Sequence, residues 1–151
     1  MYKNLLAIVS AVVTAGRAVA DEKIDVMVPV RQFVESITKD DLKSLTATCA
    51  DQAAIVFDVP PFEWHGRGAC ARWFKDGRTE DKKLRIGDVV AVLHNPLHVM
   101  IRNDRAYVVA IIDFSYMTRG VKGEELGSSM VFALQKGDVG WRITGMTLAL
   151  R

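Results

Sequence analysis

Residues 106–118 read AYVVAIIDFSYMT, residues 126–135 read LGSSMVFALQ, and residues 141–150 read WRITGMTLAL. Each run is rich in Val, Ile, Phe, Tyr or Thr, the residues that fit a pleated, half-buried surface. The intervening segments Gly120-Val121-Lys122-Gly123 and Lys136-Gly137-Asp138 carry turn chemistry. Just upstream, Leu84–Leu93 and Val99–Ile101 read as strands of the same kind, with His94-Asn95-Pro96 and Asn103-Asp104 as the turns. The C-terminal half is therefore expected to be an antiparallel meander. Its strand Val108-Val109-Ala110-Ile111-Ile112 is apolar on both faces, whereas a sheet covered on one side alternates. A large bare apolar face is rare on a soluble monomer, so a homodimer through the sheet is expected.

Toward the N-terminus the apolar period changes to three and four. Met27, Val30, Phe33, Val34 and Ile37 mark an amphipathic helix from Asp25, with Pro29 near its first turn. Asp40 is placed to cap a second short helix carrying Leu42, Leu45 and Cys49 on one face. Ala53–Asp58 is a short strand stopped by Val59-Pro60-Pro61. After Gly66 a third helix turns Ala69, Cys70, Trp73 and Phe74 inward, Gly77 reads as its C-cap, and Arg78–Lys83 as a solvated connection. Helices first and strands later give an α+β class, three N-terminal helices packed on one antiparallel sheet.

The first 20 residues, MYKNLLAIVSAVVTAGRAVA, have the plan of a secretory signal. Lys3 is the charged start, Leu5–Ala15 the apolar run, and Ala18-Val19-Ala20 the small-residue site, with cleavage expected before Asp21. An 11-residue apolar run spans only about half of a ~30 Å hydrocarbon core, and Arg17 blocks its extension. The domain then occupies residues 21–151, in the periplasm or outside the cell, with no membrane contact after cleavage. Export places Cys49 and Cys70 where pairing is possible. Each also falls on the apolar stripe of an expected helix, where a thiol behaves as a small hydrophobe, so two buried thiols are expected, with a disulfide as the alternative.

The chain has 20 Lys and Arg against 18 Asp and Glu. Lys3 and Arg17 are the only charges in the leader, so removing it leaves 18 against 18. A neutral domain offers no basic field for nucleic acid. Two Cys and three His show no CxxC or HExxH spacing, and no GxGxxG or GxxxxGK[ST] occurs, so neither a metal nor a nucleotide cofactor is expected.

Four stretches, in order, resemble the nuclear transport factor 2-like (NTF2-like) or SnoaL-like superfamily, in particular its exported bacterial members. They are Val30–Val34 with Lys39–Leu42, Ala50–Ala53, Trp64-His65-Gly66 with Trp73-Phe74, and Gly140–Ile143. The resemblance implies a cystatin-like cone, with a strongly curved sheet and a pocket beneath the helices. Members use that pocket for isomerisation, cyclisation, dehydration, epoxide hydrolysis or binding alone, so the fold does not settle the activity. In the ketosteroid isomerase branch a base carboxylate follows the first strand, a place that Asp58-Val59-Pro60 resembles. Phe33 occupies that branch's helix-1 tyrosine position, and its later acidic position aligns near Met130. Without those oxyanion donors steroid isomerisation is disfavoured.

Four residues are candidates for acid/base chemistry. Asp58, at the end of an apolar strand, is a general base or water activator if desolvated, or else an ordinary turn residue pairing with Arg67. His65 is its candidate partner, or fixes a loop. Asp113, inside Ile111-Ile112-Asp113-Phe114, is either functional or one half of a cross-strand pair. Tyr116 is a phenolic donor or a packed sheet residue. Phe33, Phe62, Trp64, Trp73 and Met130 are the expected pocket lining. The leading expectation is an apolar pocket for a small hydrophobic molecule, with cofactor-free acid/base chemistry; a non-catalytic binding or dimerisation module is the alternative. An enzyme should gather at least two of the four polar candidates at one cavity.

Overall fold

The computed structural model describes residues 6–151, with side-chain surroundings from residue 16 onward. Helices α1 (Leu6–Lys39) and α2 (Leu42–Ala47) precede strands β1 (Cys49–Val56) and β2 (Glu63–Arg67), then helix α3 (Ala69–Leu84). The meander follows as β3 (Ile86–Arg102), β4 (Arg105–Thr118), β5 (Val121–Gly137) and β6 (Gly140–Ala149). All six strands form one curved sheet in the order β2-β1-β6-β5-β4-β3. Neighbours are antiparallel except β1 and β6. A wholly antiparallel sheet is thus corrected at one junction. β6 reaches β1 only after β2, α3 and the meander, the kind of long connection a parallel neighbour requires.

The stripe Met27, Val30, Phe33, Val34 and Ile37 is buried, as its spacing predicts, in one core with Val108, Ile112, Met130, Phe132 and Leu134 of the inner sheet face. Phe33 stacks on Trp73 at 5.3 Å between ring centroids and meets Phe132 edge-on at 5.9 Å. The helix itself starts well before Asp25, so Pro29 lies inside it rather than in its first turn. A proline there removes only the one bond that its missing N–H would have made to Asp25. Residues 16–21 are exposed, and from residue 16 onward Val26 is the first buried position among the described side chains. Of the expected leader, residues 1–5 and the side chains of the rest of its apolar run lie outside the described residues. No helix among the described residues is long and apolar enough to cross a membrane.

Several local expectations are corrected. Asp41, not Asp40, caps α2, accepting from the Ser44 amide at 2.9 Å, while Asp40 adopts a positive φ of 53° where α1 ends. Trp64-His65-Gly66 belongs to β2, a hairpin partner of β1, rather than to the entry of α3. Trp64 is buried there, and its Nε1 donates to Asp76 of α3 at 2.8 Å. His94-Asn95-Pro96 is no turn. β3 runs straight through it, with register shifts between Leu93, Pro96 and His98 that absorb the proline and bend the strand. Gly77 does not end α3, which continues to Leu84 and stops at Arg85 with φ 57°. Strong helix formers and the ion pairs Arg78–Asp81 (2.9 Å) and Lys83–Glu80 (3.0 Å) carry the helix past the glycine.

Cys49 opens β1 instead of riding on α2, and it forms a disulfide with Cys70 in the first turn of α3, Cα atoms 6.6 Å apart. The expectation of two buried thiols is corrected. The Gly68 amide, bonded to the Asp51 carbonyl at 3.2 Å, brings the start of α3 back onto β1, a return that sequence spacing does not reveal. A link across 21 residues restricts the unfolded chain by about 3 kcal/mol. Reduction, or the double substitution Cys49→Ala/Cys70→Ala, is expected to lower unfolding stability by about that amount in urea titrations with and without reductant. Equal midpoints would show that the bond contributes nothing.

Candidate functional site

At one end of the sheet α3 stands away from the inner face, and a cavity of about 480 Å³ opens between them. Phe57–Pro60 and Phe62, from the β1–β2 connection, form one wall. Trp73, Phe74, Gly77 and Leu84 of α3 form a second, and Phe114, Tyr116, Glu125 and Leu148 of β4, β5 and β6 the floor. The segment that reads as a solvated connection thus supplies a wall, because residues 74, 77, 81 and 84 share one face of a helix. A Cβ at Gly77 would meet no atom within 4 Å, so the glycine leaves its part of the wall open.

A bulge in the sheet decides which polar groups reach the floor. Along β5, Leu134, Phe132, Met130 and Ser128 are the buried, inward residues, and strict alternation would send Glu125 outward. The pairing shifts instead between Ile112↔Ser128 and Phe114↔Glu125, giving β5 one extra residue, with Gly127 at φ 76°. Glu125 therefore faces the cavity beside Phe114, and its carboxylate accepts from the Ser128 hydroxyl at 2.7 Å. Two pairs further on, Tyr116 lies opposite Gly123, where an added Cβ would run into the tyrosine ring. The missing side chain at 123 is what lets that ring lie across the strand.

Asp58 stands exposed at the cavity mouth. Desolvation by the surrounding wall, and then the negative charge of Glu125, hold its carboxyl above the usual range, with Asp81 a smaller contributor. Among the described residues its carboxylate has no side-chain hydrogen-bond partner. Arg67, its expected partner as a turn residue, pairs with Asp51 at 3.5 Å. Asp81 is held by Arg78, and Glu80 by Lys83.

Of the four polar candidates, Asp58 and Tyr116 line the same cavity. His65 does not: it is exposed on β2 and contacts Glu63 at 3.3 Å. Asp113 lies on the opposite face of the sheet. One of its oxygens accepts from the Gly127 amide at 2.7 Å, and the other meets His94 Nε2 at 2.6 Å. These bonds draw its carboxyl below the usual range, the Gly127 amide most. Asp113 is thus the cross-strand pair of its alternative reading, and it braces the bulge that turns Glu125 inward. Of the expected lining, Phe62 and Trp73 face the cavity. Phe33, Trp64 and Met130 are packed in the core, because the layer they occupy is already filled by α1 and β2. Sequence reasoning missed Glu125. Its only signal is Gly127, a glycine interrupting an alternating strand. Among the described residues no three His, Cys, Asp or Glu side chains gather to hold a metal ion.

No protein-family model and no curated protein matches the sequence. Solved structures do match in shape. An NTF2-like protein with a cystatin-like fold from Novosphingobium aromaticivorans superposes with a TM-score of 0.74 at 16% identity, over 99% of this chain and 92% of that one. An NTF2-like superfamily protein from Salmonella enterica gives 0.73 at 17%, over 87% and 92%. A ketosteroid isomerase-like protein from Erwinia carotovora gives 0.64 at 16%, over 83% and 92%.

The two carboxylates have opposite pH signatures. The Asp113 pKa is lowered on folding, so its stabilisation is complete above the ordinary carboxylate pKa and is lost as the pH falls through and below it. Asp113→Ala should therefore melt below wild type at pH 7, with the gap closing on acidification. The Asp58 pKa is raised, so its charge opposes folding once the pH exceeds the ordinary value, and fully so above the raised one. Asp58→Asn is expected to melt at or above the wild-type temperature at pH 7 and level with it in acid. A destabilised Asp58→Asn at pH 7 would contradict the strained-carboxylate assignment.

Proposed function

On the NTF2-like fold that this chain adopts, we propose that it is an exported domain holding a small hydrophobic molecule in the cavity between α3 and the sheet. Cofactor-free acid/base chemistry on that molecule is assigned to Asp58, with Tyr116 assisting. The observation that carries the reading is convergence: Asp58 and Tyr116, picked out by their sequence settings, line one apolar-walled cavity. A carboxylate with a raised pKa is a stronger base than an ordinary one, able to take a proton from a carbon acid or a water. A phenol can donate a hydrogen bond to the oxyanion that develops as the proton leaves. Phe33 and Met130, buried and without donors, support the exclusion of the steroid isomerase arrangement.

Export is supported by the leader pattern, by exposed residues 16–21 ahead of the first core position, and by a disulfide suited to an oxidising compartment. Protein recovered from the periplasm or medium is expected to begin at Asp21. A homodimer through the outer sheet face is supported by Val92, Met100, Tyr107, Val109, Ile111 and Val131. Cross-strand pairing places these on one side, and the first three are each more than 40% exposed. Val109→Glu should convert a dimer to a monomer in light scattering; a wild-type monomer at micromolar concentration overturns this part.

A thermal-shift screen of hydrophobic carbonyl compounds and lactones tests the cavity itself. Ligands that stabilise the wild type should lose their effect in Gly77→Phe, which projects a ring into the open space beside α3. Asp58→Asn should retain binding and lose turnover, followed by mass spectrometry, by at least about a hundredfold. Ligands indifferent to both substitutions would refute the site.

A further inference from the structure

We propose that the molecule this cavity takes is an organic cation, a hydrophobic amine or quaternary ammonium whose charge sits between Asp58 and Glu125. The proposal rests on the cavity being a ligand site, and it names the ligand's charge. Four carboxylates line the cavity, Asp58, Glu80, Asp81 and Glu125, against one cation, Arg78. Glu80 and Asp81 are neutralised by residues of their own helix, Lys83 and Arg78. Arg78 is already committed: besides Asp81 it donates to Asp40 and to the Ile37 carbonyl, each at 2.7 Å, and its guanidinium lies 4.9 Å from the centre of the Phe74 ring. Three of its five N–H groups are used, and the two carboxylates it meets, Asp40 and Asp81, already answer its charge, so it offers a ligand anion little net attraction.

Asp58 and Glu125 remain, without a cationic partner among the described residues. They approach from different walls, Asp58 from the β1–β2 connection and Glu125 from β5. The negative charge of Glu125 is felt at Asp58 across the cavity. Two like charges facing a partly dry space are a standing cost, which one positive charge between them removes. An anion adds to the repulsion. A neutral ligand seals the carboxylates away from water without pairing them. The remaining lining agrees, since Phe57, Phe62, Trp73, Phe74, Phe114 and Tyr116 offer aromatic rings, whose faces attract cations while their area binds an apolar body.

Titration calorimetry with three probes of one shape tests this: 1-naphthylmethylammonium, 1-naphthylmethanol and 1-naphthoate, at pH 7 and low salt. The ammonium should bind on the order of tenfold more tightly than the alcohol, with added salt eroding the difference, and the naphthoate least well. Asp58→Asn and Glu125→Gln should each remove most of that preference by weakening the ammonium, while the alcohol binds at least as well as to the wild type because one carboxylate it would seal from water is gone. Both replacements are isosteric, and the side-chain amide introduced by Glu125→Gln can still accept from Ser128. Equal affinity for ammonium and alcohol, or a preference that survives both substitutions, overturns the cation assignment while leaving the ligand cavity standing. Failure of all three probes to bind overturns both.

Discussion

The bonding of the Asp113 carboxylate to the Gly127 amide governs how the two faces of the sheet relate. It secures one extra residue in β5, and everything toward the start of that strand changes sides as a result. Without the insertion Glu125 would point to the outer face and Leu126, now exposed, would occupy the floor. Gly123 would no longer lie beneath Tyr116. A contact on the outer face thereby sets the chemistry on the inner one, and the His94 ring bonded to the same carboxylate ties β3 into the arrangement.

A second constraint opens the space that these groups face. β1 and β2 form a hairpin fastened to α3 twice, by the Cys49–Cys70 disulfide at the helix start and by the Trp64–Asp76 hydrogen bond one to two turns later. Both attachments lie in the first half of the helix. Its second half, from Gly77 to Leu84, is therefore free to stand off the sheet, anchored to the end of α1 through Arg78. The core beneath the first half is filled by Phe33, Trp73 and Phe132. The cavity lies beyond that filled layer, which is why three aromatic or apolar residues expected to line it are structural instead.

Much of the architecture is legible in the sequence because it rests on local chemistry. The three-and-four spacing from Met27 to Ile37 marks the buried face of α1, and the β-rich runs after residue 105 mark the meander. The departures share one cause. Pro96, Gly77 and Pro29 have the character of breakers, yet each lies within an element whose other interactions outweigh a single lost hydrogen bond or a glycine's entropy. The hairpin strand β2 is not legible because five residues, two of them charged, carry no clear alternation, and its partner is supplied by β1.

The amino-acid sequence by itself determined the class, the core face of α1 and the neutrality of residues 21–151, since these follow from residue type and period alone. It also singled out Asp58 and Tyr116 from their strand-end and strand settings. The pairing of Cys49 with Cys70, the exclusion of His65 and Asp113 from the cavity and the entry of Glu125 were decided only by tertiary structure. Each depends on a distance between segments far apart in the chain or on a one-residue shift of register. Neither quantity is encoded in the spacing of the residues concerned.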